Sequence, residues 1–268
     1  MPAEIWPELE LDAWRATRDT LHQRVRAVGA AAKRLAEPQP HWWHAALVPG
    51  DGELATRPLL GADGPFGLVV DLRDHRVFVE GGGVIPLSLP GERFLAALSG
   101  ALSAAGGEVD LEPDDYPSPD VYDPDAAAHF AAVLGRLAPV LASAPSGVGG
   151  GTGPVNFWPH HFDLAVSWFS GRLVPGVDPA DEEHAAEQVT LGFSTGDETV
   201  DEPYCYATAY PLPDDLVGAT LPTPARWITE GFTGGLLPYG AALATGAPDG
   251  AIGAFLRTFV AEAALRMR

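Results

Sequence analysis

The chain has 268 residues, of which 46 % are hydrophobic and 19 % are charged, so its composition is that of a folded protein. Sixteen Lys and Arg against 36 Asp and Glu give a formal net charge of −20. Because this charge repels phosphate backbones and anionic lipid surfaces, we expect no nucleic-acid and no membrane partner. The single cysteine, Cys205, cannot form an intrachain disulfide.

The chain start and the hydropathy favour a cytoplasmic protein. The first residues are acidic where a secretory signal has a basic segment followed by an apolar one. We also find no run of about eighteen apolar residues of the kind that spans a bilayer.

The first predicted element is a long helix. After Asp12, a good N-cap, apolar residues recur at helical spacing until Pro38. Its other face carries six of the sixteen cationic residues, for which a solvated surface pairing with acids is the favoured interpretation. These residues are Arg15, Arg18, Arg24, Arg26, Lys33 and Arg34.

Short apolar segments between residues 41 and 89 predict strands and hairpins. Two helices are predicted next, one over Arg93 to Ala105 and one after Asp123, which Pro139 should kink or end. The Gly-rich segment 146–153 reads as a linker.

Strand patterns return after the linker, and Pro248 opens a closing helix. The sequence therefore predicts an α+β fold, a mostly antiparallel β-sheet covered by three or four helices. We expect one compact unit over 1–268, with two halves joined at 146–153.

Several motifs of known enzymes fail on inspection. The pentapeptide GFSTG at 192–196 matches a serine-hydrolase pattern, but an acidic loop follows it instead of a helix, and His184 is the last histidine of the chain. The Gly-rich segment lacks the lysine of a phosphate-binding loop. The acidic run 178–184 is not a calcium loop, and it predicts a solvated helix start.

One polar pair remains as a candidate site. If a strand begins at His161, then His161 and Asp163 lie on the same face, about 7 Å apart, opposite the apolar Phe162 and Leu164. Such a pair supports metal ligation, general base catalysis or substrate binding. A structural hydrogen bond between the two side chains is the alternative.

Other residues could complete this site. Glu187 is predicted to point toward an apolar strand face, and it joins His161 and Asp163 as a candidate catalytic residue or ligand of a divalent metal such as zinc. His44 is favoured over His41 in the HWWH cluster at 41–44. Aromatic side chains with polar tips line pockets as readily as they fill cores. The candidate ligand-binding residues are therefore His44, Trp43, Trp158, Tyr206 and Tyr210.

Segments on both sides of the predicted linker resemble one bacterial family of unknown function, the one numbered 5996. The segments are WPEL at 6–9, DAWRATRDTLH at 12–22, HWWH at 41–44, FWPHHFDLA at 157–165, FSGR at 169–172, GFSTGD at 192–197 and YATAYP at 206–211. The resemblance implies that the two halves form one unit. It implies no activity or cofactor, and it suggests that relatives vary at His160.

Three hypotheses remain open from the sequence. The first is an enzyme acting on a small polar molecule, in its concrete form a metal-dependent hydrolase or lyase that uses the His/Asp/Glu cluster. The second is a small-molecule-binding or regulatory module with an aromatic-lined pocket. The third is a partner of basic proteins. The oligomeric state is open.

Overall fold

The computed structural model describes residues 6–111 and 118–267. Contacts divide this part of the chain into two compact units. The unit that we call N-terminal comprises 12–111, 118–135 and 156–162, and the C-terminal unit comprises 6–11, 136–155 and 163–267. The pairs within the described sheets are antiparallel, which confirms the predicted α+β class.

The N-terminal unit contains a small sheet in the strand order β1-β2-β5-β6-β7, a separate β3-β4 hairpin, and helices. Residues of β2, β5, β6 and β7 that share one face are buried, and α2 packs next to β7. The elements are α1 (Leu11–Leu35), a 3₁₀ helix (Pro40–Ala45), β1 (Val48–Pro49), β2 (Glu53–Ala55), β3 (Leu59–Gly61), β4 (Gly64–Phe66), β5 (Leu68–Asp71), β6 (Arg76–Val79), β7 (Gly83–Pro86), α2 (Gly91–Ala104), the first part of α3 (Pro124–Ser143) and β9 (Asn156–Trp158).

Helix α1 forms where the apolar spacing predicts it, and Leu21, Val25 and Val28 are fully buried. The predicted solvated face is wrong for Arg24, which is only 1 % exposed, while the predicted pairing with an acid elsewhere in the fold is present there. Its guanidinium donates to the Asp120 carboxylate at 2.5 Å and to a backbone carbonyl. A buried cation is retained here because it is paired and hydrogen-bonded.

Three local predictions need correction. The HWWH segment forms a 3₁₀ helix and not a strand, since His41 and Trp42 adopt positive φ angles of 55° and 58°. Pro139 does not end α3, which continues to Ser143, and the alternative of a kink stays a prediction. The acidic run 178–184 forms turns in which the Asp181 carboxylate accepts backbone N–H groups, and it starts no helix.

Helix α3 is long and apolar enough to be compared with a membrane-spanning helix. Among the described residues, α3 alone has the length and composition to cross a membrane, and 39 % of its most apolar 18-residue stretch is buried. Core helices of soluble proteins pass the same test, so this finding carries no conclusion about location.

The C-terminal unit contains a larger sheet in the strand order β13-β14-β12-β11-β10-β8. Helix α5 packs on β12, β11 and β14. The elements are β8 (Gly151–Thr152), β10 (Asp163–Leu173), β11 (Ala186–Ser194), β12 (Tyr204–Tyr210), a 3₁₀ helix (Leu216–Gly218), β13 (Arg226–Ile228), β14 (Gly234–Pro238), α4 (Tyr239–Ala244) and α5 (Pro248–Arg266).

The Gly-rich segment belongs to this sheet. Gly151 and Thr152 form β8 and pair with Phe169 and Trp168 of β10. The Trp168 indole also donates to the Gly149 carbonyl at 2.9 Å. The segment is therefore not a free linker, and the boundary between the two units does not fall there.

Candidate functional site

Strand β10 begins at Asp163 and not at His161. Residues 159–162 form a turn that is closed by a 2.8 Å hydrogen bond from the Phe162 N–H to the Trp158 carbonyl. Phe162 has a φ of 56°, outside the extended region, so the alternation that would place His161 and Asp163 on one strand face is interrupted between them. The same-face prediction is therefore wrong.

In the N-terminal unit this turn is seated on one face of α1. His22, Arg26, Gly29 and Lys33 follow a spacing of four, three and four residues, which places them on one side of a helix. Gly29 allows close approach, because a Cβ there would lie 2.5 Å from the Pro159 Cβ. The helix therefore contacts the turn through its own backbone at this point.

Two side chains of α1 hold the turn by its main chain. The Arg26 guanidinium donates to the His160 carbonyl at 3.1 Å, and the His22 Nε2 lies 3.3 Å from the same oxygen. On the inner side, Phe162 is 2 % exposed and stacks on Phe130 with ring centroids 5.1 Å apart. The turn is therefore held by the His160 carbonyl and the Phe162 ring, and the imidazoles of His160 and His161 take no part in this attachment.

The two imidazoles of the turn lie side by side at the surface. The rings of His160 and His161 have centroids 4.1 Å apart, and both residues are exposed. Removal of water from part of the ring, and then the positive charges of His161, Arg26 and Lys33, lower the pKa of His160 from 6.5 to about 4. His160 is therefore neutral at pH 7 and sits in a locally positive environment.

Burial also lowers the pKa of His22, which is a buried residue of the same unit. Burial first, and then the charge of Arg26, lower the pKa of His22 from 6.5 to about 4. A neutral His22 with its proton on Nε2 donates to the His160 carbonyl.

The 3₁₀ helix adds an aromatic rim to this face of α1. Trp42 is 44 % exposed, and the Lys33 Nζ lies 5.1 Å from the centroid of its ring. His44 is buried, and its Nδ1 accepts the Gln39 N–H at 3.1 Å, which assigns it a structural role in the turn. Trp43 is half-buried against His41.

Trp158 completes the rim on the side of the turn. It is half-buried, and its ring meets the His160 ring edge-on at 5.8 Å. The two histidine-containing segments that the sequence singled out therefore meet the same face of α1. We call this set the two-histidine site, after the two adjacent imidazoles of the turn. It consists of His22, Arg26, Lys33, Trp42, Trp158, His160 and His161.

In the C-terminal unit, Asp163 is 7 % exposed and accepts a hydrogen bond from the Tyr206 hydroxyl. Tyr206 belongs to β12 and reaches β10 across Gly192 of β11, where an added Cβ would lie 2.5 Å from its oxygen. Burial, and then the charge of Asp163, raise the pKa of Tyr206 well above 10. Tyr206 is therefore a hydrogen-bond donor.

The GFSTG motif is explained by packing and turn geometry. Gly192 makes room for the Tyr206 ring, and the Ser194 hydroxyl accepts the Gly196 N–H at 3.2 Å at the end of β11. Ser194 is 7 % exposed. A turn residue is the interpretation that these contacts support.

Glu187 and Tyr210 lie at the opposite end of the same strands. Glu187 accepts hydrogen bonds from the Ser170 hydroxyl at 2.8 Å and from Arg172 Nε at 2.9 Å. Tyr210 is 36 % exposed and contacts His184 edge-on. Glu187 thus belongs to an ion pair with Arg172 at the end of these strands, and its carboxylate does not lie in an apolar face.

The structure does not assemble the predicted metal site. Asp163 pairs with Ser194 at one end of the β10–β11 ladder, whereas Glu187 lies beyond Gln188 at the other end, about 20 Å away along the strands. Within 6–111 and 118–267, no group of three His, Cys, Asp or Glu side chains could hold a metal ion. The residues present do not fit a zinc-type site.

A family model described as "Family of unknown function (DUF5996)" matches residues 6–267. The chain belongs to this family. DUF5996 membership confirms the resemblance inferred from the sequence, and the match covers both units. No curated protein matches the chain, and no solved structure matches it.

For this DUF5996 chain, sequence reasoning missed much of the two-histidine site. The sequence pattern places Arg26 and Lys33 on a solvated face and does not single out His22 or Trp42. The signal that could have found them is the spacing of His22, Arg26, Gly29 and Lys33, in which one glycine interrupts a row of cationic and imidazole residues.

Proposed function

We propose that this chain is a binding module for a small anionic molecule, which it holds at the two-histidine site. The observation that carries the proposal is that Arg26 and Lys33 of α1 lie near His160 and His161 of the surface turn. This cationic and imidazole cluster stands out in a protein of net charge −20. A local positive surface on such an acidic protein focuses anions toward that surface.

The donors suit a phosphate or carboxylate group. A guanidinium and an ammonium bind such oxygens through charge-assisted hydrogen bonds, and a neutral imidazole keeps one N–H donor. His160 can also take up a proton when an anion arrives, because a nearby negative charge raises a histidine pKa. The exposed indole of Trp42 offers an apolar surface for the rest of the ligand.

This proposal develops the binding-module hypothesis. The hypothesis of a metal-dependent hydrolase or lyase requires three of His44, His161, Asp163 and Glu187 to meet at one point. Asp163 and Glu187 lie at opposite ends of one strand pair, and the buried His44 accepts a backbone N–H. These positions therefore give the metal-dependent hypothesis no support.

The test is a titration with inorganic phosphate, followed by calorimetry and by the imidazole NMR signals of His160 and His161, with glycerol as a neutral control. We expect phosphate to shift both sets of signals and glycerol to shift neither. Lys33→Met should weaken phosphate binding about threefold, since an exposed charge contributes about 0.5 to 1 kcal/mol.

The matched control is Arg34→Met. Arg34 is the next residue of α1, also exposed, and lies about 100° further around the helix. Equal weakening by Lys33→Met and Arg34→Met would mean that phosphate responds only to net charge. Unchanged imidazole signals at saturating phosphate would contradict the proposal outright.

A further inference from the structure

Trp42 is a large aromatic residue that the fold keeps at the surface. It is 44 % exposed, in the same unit in which the rings of Phe66, Phe94 and Phe130 are buried. Trp42 has a φ of 58°, and His41 before it has a φ of 55°. Two consecutive left-handed residues are costly when neither is glycine, and such backbone conformations cluster at binding sites. The indole is therefore held at the surface at a conformational cost.

A buried histidine supports this indole. The His44 ring stacks on the Trp42 ring, with centroids 5.5 Å apart and an interplanar angle of 30°. His44 is itself fixed, since its Nδ1 accepts the Gln39 N–H at 3.1 Å. The orientation of the indole is therefore set before a ligand arrives, and this preorganisation lowers the entropy cost of binding.

Lys33 connects the indole to the cationic end of the two-histidine site. Its Nζ lies 5.1 Å from the centroid of the Trp42 ring. The pKa of His160 is lowered by burial first and then by nearby positive charges that include Lys33, so the ammonium lies within electrostatic reach of that imidazole. Lys33 also follows Arg26 by two turns of α1, about 10 Å. The site therefore has a cationic end beside His160 and an aromatic end at Trp42.

We propose that the ligand of the two-histidine site is a nucleoside monophosphate, whose phosphate binds beside His160 and whose base stacks on Trp42. This inference rests on the proposed function. The sugar of such a ligand separates its charge from its planar ring, as the two ends of the site are separated. A net charge of −20 favours a single phosphate over a polynucleotide, because further phosphates would approach an acidic surface.

Lys33 gives the two ends a physical link. Its ammonium is a point charge on a flexible stem, so it can leave the indole and contact a phosphate oxygen. A hydrogen bond from a charged group to phosphate is stronger than the attraction of an exposed cation to an aromatic ring. The movement uncovers indole surface at the place to which the phosphate brings the base. Phosphate and base should therefore bind more tightly together than either does alone.

The first experiment compares adenosine 5′-monophosphate (AMP), ribose 5-phosphate, inorganic phosphate and adenosine by calorimetry on the full chain. We expect AMP to bind at least about fivefold more tightly than ribose 5-phosphate, because stacking of one base on an aromatic side chain contributes about this factor. Adenosine should bind more weakly than AMP because it lacks the phosphate. Nuclear Overhauser effects between the adenine protons and the Trp42 indole should locate the base.

The second experiment measures the ratio of the ribose 5-phosphate and AMP dissociation constants in two variants. Trp42→Leu should bring this ratio close to one, since leucine offers no ring for stacking. Phe78→Leu is the matched control and should leave the ratio unchanged, because Phe78 is 45 % exposed in the same unit but lies on β6. Thermal unfolding of each variant shows that it is folded.

The outcomes distinguish this inference from the proposed function. If phosphate and ribose 5-phosphate bind but AMP binds no more tightly, the nucleotide is overturned and anion binding stands. A ratio that survives in Trp42→Leu, or that falls equally in Phe78→Leu, overturns the stacking of a base on Trp42. Adenosine that binds as tightly as AMP also overturns the inference, since the phosphate then plays no part. If none of the phosphate compounds binds, both proposals are overturned.

Discussion

Gly192→Ala tests the contact that organises the polar face of the larger sheet. A Cβ at this position would lie 2.5 Å from the Tyr206 oxygen and 2.6 Å from its Cε1. An ordinary contact needs about 3.4 Å or more, so the ring would have to move by about 1 Å. Such a movement separates the Tyr206 hydroxyl from the Asp163 carboxylate.

The expected cost has two parts. Forcing an extra methyl group into a packed site costs about 1 to 3 kcal/mol, and weakening a hydrogen bond to a buried charged group costs about 1.5 to 3 kcal/mol. Replacing a strand glycine by alanine returns about 0.5 to 1 kcal/mol. We therefore expect Gly192→Ala to lower the free energy of unfolding by about 3 kcal/mol.

The assay is urea denaturation in a double-mutant cycle with Tyr206→Ala. Once the ring is absent, Gly192→Ala should be neutral or slightly stabilising, so the two changes should show a coupling of 2 kcal/mol or more, a size typical of residues in direct contact. Gly151→Ala is the matched control, because a Cβ at that strand glycine meets open space. Equal destabilisation by Gly192→Ala with and without the Tyr206 ring would refute the reasoning.

Three further predictions follow from buried ionisable groups. In the unfolded chain His22 is protonated below its ordinary pKa of 6.5, whereas in the folded chain its imidazole stays neutral down to about pH 4. Stability that is present above pH 6.5 is therefore lost as the pH falls, by about 2 kcal/mol at pH 5. Urea unfolding should show a smaller loss between pH 7 and 5 in His22→Gln, and an equal loss would contradict this assignment. Asp120→Asn should cost about 2 to 3 kcal/mol in the same assay, because it weakens the pairing of the buried Arg24, and a change below about 0.5 kcal/mol would show that the pair is not stabilising. Burial raises the pKa of the Cys205 thiol to about 12, so a thiol reagent should react with it in urea and not in the native protein, and rapid native labelling would contradict its burial.

The elements that the sequence predicted well are those whose residues share one environment. Helix α1 follows its apolar spacing from Asp12 onward, and β12 follows the alternation of large and small residues between Tyr204 and Tyr210. In both elements the buried side is continuous, so periodicity alone identifies the face that packs.

The candidate site was harder to predict because two of its segments adopt left-handed backbone conformations. The apolar alternation of Phe162, Leu164 and Val166 predicts a strand that includes Phe162, yet the φ of Phe162 is 56° and a turn precedes Asp163. His41 and Trp42 depart from the extended region in the same way. Such conformations are uncommon for residues other than glycine, and tertiary packing stabilises them. A pattern based on strand alternation therefore misses them.

Helix α1 holds the 159–162 turn through groups other than the side chains of His160 and His161. Arg26 and His22 contact the backbone oxygen of His160, an atom that every amino acid has, and Phe162 packs in the aromatic interior. Substitutions at 160 and 161 can consequently change the side chains that the turn exposes while the turn keeps its position. Under the proposed function, these two positions are where an engineer would alter the choice of anion.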